Sequence, residues 1–580
     1  MNLPDNGTQI PRAARHPNGR RRRPEAGAAA DIAADSAWQW LRTSQDAPGA
    51  ASFGRRPPHD DVEQKLRDLA PFLGRLRRGI ERESLRVDAG GRLVLTPHPA
   101  ALGSALTNAG ITTDFSESQI ELVTGVHGGV GDCIRELTDL HRFVNDRLDG
   151  ETLWAASMPC ELPGEDAIPI ASYGSSNAAL AKRIYRMGLA RRYGRRMQMI
   201  SGVHYNFSIP EDAWQTGAIG NASDAYMGLI RNFRRHGWML LYLFGASPAV
   251  NASFVAGRSH AMPALAPDTR YLPFATSLRM TRQGYLSRAQ EALCVSCNTL
   301  DSYATALAGA MSRPHPAYES IGLRSANGYR QLSTSLLQQE SEFYSSIRPK
   351  RVPGPGERQL HALRARGIEY VEVRVLDSDA YEAIGIAPQT ARFVDVFLLH
   401  CLLAPSPPDV PEEIRACARN DQEVAARGRD PLLCLQDGGR RVSLRDWGAR
   451  VLDQCAPIAA ALDGVLGGHA HQIALAGAVD AFSDPESLPS ARVLRDVREH
   501  HRGSFAAFAQ TRSTVHREWL QRAALPAETT ARLALQAEAS LERQRRMESE
   551  NDGPFEPFRQ RYLSPTSLGE PRGQESTFSE

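Results

Sequence analysis

No apolar run in this chain reaches the roughly 20 residues that a bilayer-spanning helix needs. The best candidate, residues 238–250, is too short and is interrupted by Gly245 and Pro248. Charge of either sign is barely in excess: 68 basic and 66 acidic residues leave a formal net charge of +2. No bulk attraction to nucleic acid or to a membrane surface follows. Cysteine is sparse, eight scattered in 580 residues, which excludes a disulfide framework and fits a reduced, cytoplasmic setting. Cys294 and Cys297 make a single C-x-x-C. With no second pair at zinc-ribbon spacing and no βαβ context, they read as structural thiols on a helix. Internal repeats are also lacking.

What is present is an ordinary globular composition, 42% hydrophobic, in a chain long enough for one large enzyme domain with insertions. Residues 1–60 stand apart: rich in Pro, Gly, Ala and Arg, with the run Arg20-Arg21-Arg22-Arg23 and no apolar periodicity, they read as a disordered basic extension. Residues 564–580 read as a disordered tail. Between them, residues 61–400 carry the strand patterns and 401–563 are mainly helical. A short helix over residues 60–79 leads into the first strand, and residues 132–148, 224–244 and 288–311 are expected to be single helices. Ser443 with Asp446 suggests a capping box, residues 527–550 a charged helix, and residues 353–356, Pro-Gly-Pro-Gly, a surface loop.

The informative feature is acid where strands are expected. In residues 79–87, Gly-Ile-Glu-Arg-Glu-Ser-Leu-Arg-Val, the side chains of Glu81 and Glu83 fall on one face of an extended segment. Asp114 and Glu121 follow in further strand-like segments. Like charges so close repel, and burying them unpaired costs several kcal/mol each on an order-of-magnitude view. A divalent, oxygen-seeking cation such as Mg²⁺ between them would resolve this. The alternative is a solvated strand on which Arg78, Arg82 and Arg86 neutralise the acids. Further on, Val371, Val373 and Val375 alternate with Glu372 and Arg374, so an acid and a guanidinium share one face. Phosphoryl transfer requires that pairing. Residues 197–209 read as a third strand, with Gln198, His204 and Asn206 on one face.

These stretches, with residues 111–117, 173–177, 201–208, 277–280, 347–350 and 369–374, closely resemble the bacterial glutamate–cysteine ligases, in the right order from about Leu66 to about Tyr562. The resemblance implies an α+β, glutamine-synthetase-like fold: a curved antiparallel sheet forming a funnel, covered by helices, with a helical C-terminal third. Pattern alone reaches only strands with polar faces and helices over the rest. The resemblance further implies ATP-dependent ligation of L-glutamate to L-cysteine through γ-glutamyl phosphate, the first step of glutathione synthesis. By the same route Glu81, Glu83, Asp114, Glu121, His204 and Glu372 are expected to ligate two or three Mg²⁺, with Mn²⁺ as a substitute. Arg374 would neutralise the transferring phosphoryl group and Arg186 would assist on the nucleotide. Gln198 and Arg279 would hold glutamate, and Phe115, Tyr185, Tyr285 and Tyr344 would line the cysteine site. A monomer, feedback inhibition by glutathione, and no nucleic acid or membrane partner complete the expectation. Two other readings stay open here: a ligase of the same scaffold with another amine acceptor, and a catalytically silent nucleotide-binding homologue.

Overall fold

The arginine-rich segment around residue 80 forms the longest strand, and its two faces carry opposite chemistry. The computed structural model describes residues 59–215, 220–284, 288–550 and 553–569; most of the basic extension and of the tail lies outside them. Seven strands build the main sheet: β1 (Arg77–Val87), β2 (Ile111–Thr113), β3 (Gln119–Val123), β4 (Thr152–Leu153), β5 (Val203–Ser208), β6 (Ile347–Lys350) and β7 (Tyr370–Leu376). They run in the order β6-β7-β5-β1-β3-β2, with β4 beside the end of β1. Every pairing is antiparallel.

Alternation sends Ile80, Ile120, Leu122, Val203, Tyr205, Phe207, Val371 and Val373 to one face, where they are buried in the main core. Helices Val130–Asn145, Ala222–His236 and Pro388–Leu403 cover that core. The last is apolar nearly all round and correspondingly buried. Its single acid, Asp395, is paired: Arg78 Nε lies 3.1 Å from Oδ2 and the Tyr205 hydroxyl donates to Oδ1 at 2.8 Å. A charge this deep persists only with such partners.

Several expected elements are redrawn. The helix over 224–244 is two, Ala222–His236 and Trp238–Phe244, broken at Gly237, where a Cβ would stand 2.6 Å from the Phe233 carbonyl oxygen. Residues 288–311 also divide, into Arg288–Glu291 and Leu300–Ser312, because Thr299 and Ser302 form a capping box that starts a new helix. Cys294 and Cys297 therefore lie on the connection and not on a helix, and the Cys297 N–H donates to Asp409. Ser443 does precede a helix, Leu444–Leu466, but its side chain caps nothing: it ends a hairpin strand paired with Cys434. Beyond residue 403 that hairpin, Cys434–Asp437 with Arg440–Ser443, interrupts an otherwise helical region. Order also continues past residue 564, since Ser564 caps the turn Pro565–Leu568 and buries Leu568.

Candidate active site

Opposite the core, the sheet presents a polar face, and strand register decides who meets whom there. His204 of β5 stands directly across from Glu81 of β1, and Glu121 of β3 across from Glu83. The His204 ring lies between the two β1 acids, Nδ1 3.0 Å from Glu81 Oε2 and Nε2 3.6 Å from Glu83 Oε1. Asn206, one pleat along β5, donates to Glu81 Oε1 at 3.0 Å and is the register partner of Glu372 on β7. Glu81, His204 and Glu372 thus each offer a ligand atom within 4.8 Å of the others.

The arginines of β1 do not neutralise these acids. Arg78 serves Asp395, Arg86 donates to Glu151 Oε2 at 2.7 Å, and Arg82 reaches the backbone carbonyls of Glu83 and Trp154 at 3.4 Å each. All three leave from the other side of the strand, so the solvated salt-bridge alternative fails.

Positive charge comes instead from β6 and β7. Arg374 Nη1 lies 3.2 Å from Glu372 Oε2, Lys350 Nζ 3.4 Å from Oε1, and Arg348, the cross-strand partner of Glu372, 4.0 Å from Oε2. Burial pushes the Glu372 carboxyl up, yet Lys350, Arg374, His204 and Arg348 together hold it well below the usual range. Burial is likewise the largest effect on Glu81 and raises it, but the hydrogen bond to His204 and the charges of His204 and Lys350 together leave the group lowered. On the β1–β3 side the sign reverses. Burial and then Asp114 raise Glu83, and burial with Glu81, Asp114 and Glu83 raises Glu121 far above its ordinary value. Glu83 is only partly compensated, by a hydrogen bond from the Gly202 N–H at 2.9 Å and by the charges of His204, Arg279 and Arg374.

The strand geometry on β7 is not the regular alternation the valines suggest. Pairing runs Val373 with Tyr205 and then Leu376 with Val203, so Arg374 and Val375 share the space opposite His204. Such a bulge re-aims side chains. Asp377, just beyond, accepts from Ser277 and Ser247 and lies 3.8 Å from the buried Arg279. Arg279 Nη2 also donates to the Arg374 carbonyl at 2.8 Å. Gly202 is required here, because a Cβ would fall 2.2 Å from that same nitrogen.

A model of the glutamate–cysteine ligase family matches residues 64–424. The chain belongs to the glutamate–cysteine ligase family. It is 47% identical to a glutamate–cysteine ligase of Pseudomonas paraeruginosa over 497 residues, 84% of this chain and 94% of that one. A glutamate–cysteine ligase of Bordetella petrii is 46% identical over 507 residues, 86% of this chain and 96% of that one. Among solved structures it resembles a glutamate–cysteine ligase of Francisella tularensis in complex with AMP, with a TM-score of 0.80 and 35% identity over 85% of this chain and 98% of that one. A bifunctional glutathione synthetase of Pasteurella multocida gives a TM-score of 0.62 at 26% identity, covering 78% of this chain and 54% of that one.

Within this family member the expected residues do not all fall in one place. Glu81, Glu83, Asp114, Glu121, His204, Glu372 and Arg374 come together on the polar face. Arg186 arrives on helix Asn177–Tyr193, its Nε donating to the Asp114 carbonyl and its guanidinium 4.7 Å from the Tyr173 ring centre. Gln198 is not on a strand: the i to i+3 bonds of Gln198 and Met199 close a 3-10 turn over Met197–Met199. From there it faces the Tyr344 phenol. Phe115 and Tyr185 are both buried in a second core cluster, Tyr185 accepting from Ser341 at 3.4 Å. Tyr285 lies outside the described residues. Lys350 and Arg348 were missed. Their motif was visible, but only pairing with β7 places them on Glu372.

The donor set fits Mg²⁺ or Mn²⁺. It is carboxylate oxygen with one imidazole nitrogen, the acids crowded around Glu121 need positive charge, and Glu81, His204 and Glu372 each bring a ligand atom within 4.8 Å of the others.

Proposed function

We infer that this chain joins the γ-carboxylate of L-glutamate to the amine of L-cysteine at the expense of ATP, giving γ-glutamylcysteine, ADP and phosphate, the first step of glutathione biosynthesis. The observation that supports it best is the convergence of Glu81, His204 and Glu372 beside Arg374 in a chain of this family. In the first half-reaction a γ-carboxylate oxygen bonds to the γ-phosphorus as the bond to ADP breaks. In the second, the cysteine nitrogen bonds to the acyl carbon, phosphate leaves, and the amine gives up a proton. Neither half needs a side-chain nucleophile, so the protein acts by positioning and electrostatics.

Glu81, Glu83, Asp114, Glu121, His204 and Glu372 would hold two or three Mg²⁺, which when bound neutralise the phosphates and the attacking carboxylate. Arg374 braces the transferring phosphoryl group, and Arg186 neutralises charge from the helix side. Arg279, buried beside Gly202 with its fork already ordered, and Gln198 orient glutamate. Tyr185, Tyr344, Phe115 and Tyr285 shape the amine site. Residues 61–400 carry this chemistry and 401–563 support it, in a monomeric cytoplasmic enzyme inhibited by glutathione. No described helix is long and apolar enough to cross a membrane.

ADP release measured with cysteine, 2-aminobutyrate and other amines tests the assignment. Cysteine is expected to give the highest kcat/KM; equal rates would make this a ligase for another acceptor. Titrating glutathione into the same assay, and sedimentation of the pure protein, test the inhibition and the monomer.

A further inference from the structure

Behind Tyr185 and Tyr344 lies a charge pair that solvent does not reach. Arg192, near the end of helix Asn177–Tyr193, and Glu342, in the turn Glu340–Glu342, meet at 2.9 Å with both side chains 0% exposed. The pair is fully satisfied. Glu342 Oε1 also accepts from the Tyr193 hydroxyl at 2.8 Å, and Oε2 accepts from the Gln338 N–H at 2.7 Å. Every nitrogen of the Arg192 guanidinium donates: Nη1 to Glu342, Nε and Nη2 to Gln331 Oε1, and Nη2 also to the Ser333 carbonyl at 2.7 Å.

A buried ion pair is a poor way to stabilise a core, because apolar side chains of similar volume do as well or better. What a fully hydrogen-bonded pair supplies is a fixed position for whatever it touches. Two branches of this network end on the backbone of the two tyrosines. On one side Gln290, 7% exposed, donates to the Glu342 carbonyl at 2.9 Å and to the Tyr193 hydroxyl at 3.2 Å. Its Oε1 accepts from the Tyr344 N–H at 3.0 Å, and the Tyr193 ring stands edge-on to that of Tyr344 with centres 6.0 Å apart. On the other side the buried Gln338, tied to Glu342 through its N–H, donates from Nε2 to the Tyr185 carbonyl at 3.3 Å. The helix that carries Tyr185 and the segment that carries Tyr344 are thus joined through one pair of opposite charges.

We propose that Arg192, Glu342 and Gln290 are positioning residues for the acceptor amine: the buried pair sets the spacing of Tyr185 and Tyr344, and through it which amine fits between them. The proposal rests on the ligase reading above, which places both tyrosines at the amine site. It assigns the cost of burying two charges to selectivity. The polar face of the sheet is outside this network, so glutamate and ATP do not depend on it.

The test is steady-state kinetics of the full chain with cysteine and with 2-aminobutyrate. Arg192→Met combined with Glu342→Leu removes both charges together, so neither is left buried alone. Gln290→Met cuts only the branch to Tyr344. Each variant is expected to raise the KM for cysteine about tenfold while the KM values for glutamate and ATP stay within about twofold. The kcat/KM preference for cysteine over 2-aminobutyrate is expected to shrink by about fivefold. Thermal melts report the fold, and if the double variant does not fold, Gln290→Met decides alone. An unchanged cysteine KM in either folded variant makes the pair a structural one and overturns the assignment. So does a glutamate KM that rises in step with that for cysteine, because a loosened fold does that. If wild type turns over cysteine no better than 2-aminobutyrate, the ligase reading itself fails and the positioning role falls with it.

Discussion

The two halves of the sheet's polar face use the same side chain to opposite ends. Toward β7, Glu372 sits among Lys350, Arg348 and Arg374 and is held ionised. Toward β3, Glu83 and Glu121 face each other and Asp114, and the positive groups that act on them, His204, Arg279 and Arg374 on Glu83 and Arg186 on Glu121, do not offset burial and repulsion, so their carboxyls are pushed up. Burial is common to both, so it cannot be the cause of the difference. What separates them is company: cations crowd Glu372, whereas Glu83 and Glu121 face further acids. The first half is balanced and poised to bind anions; the second is short of positive charge and poised to take a cation.

The most severe way to break the contrast is Glu372→Gln, which removes the balanced acid. Turnover measured as ADP release is expected to fall by a factor of about 10³ or more with the fold retained by circular dichroism; near-normal turnover would contradict its role. Arg374→Met, which unbalances the same half from the other side, should lower kcat by about 10²–10³. Glu121→Gln sharpens the comparison, because relieving repulsion in the cation-poor half should stabilise the metal-free protein by about 1–2 kcal/mol. The same variant should shrink the rise in Tm that Mg²⁺ produces by binding the folded state. Denaturant melts with and without Mg²⁺ check both, and a destabilised metal-free variant would show that Glu121 is not strained.

A control away from both halves uses pH. His400, 3% exposed and stacked on His236 with ring centres 5.5 Å apart, has its pKa lowered by burial to about 4 from 6.5. The unfolded chain then binds the proton more readily than the folded one, so stability is full above pH 6.5 and declines as pH falls toward 4. His400→Phe should abolish about 2 kcal/mol of the loss between pH 7 and 5, seen as a flatter dependence of Tm on pH. The smallest effect is expected from deleting residues 1–55: turnover unchanged within error, with a large drop showing that the extension is structured.

Much of this face was legible before any coordinates. Glu81, Glu83 and Glu372 announce themselves because acids in a β pattern need a reason, and the valines of β7 mark which side they leave from. Less legible was everything that depends on which strand lies beside which. Lys350 and Arg348 look like an ordinary basic edge until β6 pairs with β7. Arg78 and Arg86 look like partners for the acids until the pleat sends them to Asp395 and Glu151. Gln198 looked extended because hydrophobic alternation cannot distinguish a strand from a 3-10 turn bonded through Arg195 and Arg196. Gly237 looked tolerable inside a helix because the crowding against Phe233 is a contact between side chain and backbone that periodicity does not report.

The extra residue between Val373 and Leu376 has a further consequence. It means that the length of this segment is under as much constraint as its composition. Losing the Val375 codon would keep every charge and yet turn Asp377 away from Ser247 and Ser277, strip Arg279 of its anchor and rotate the guanidinium of Arg374 relative to the imidazole it faces. Substitutions at these positions can be made one at a time, but an indel cannot be compensated by any of them.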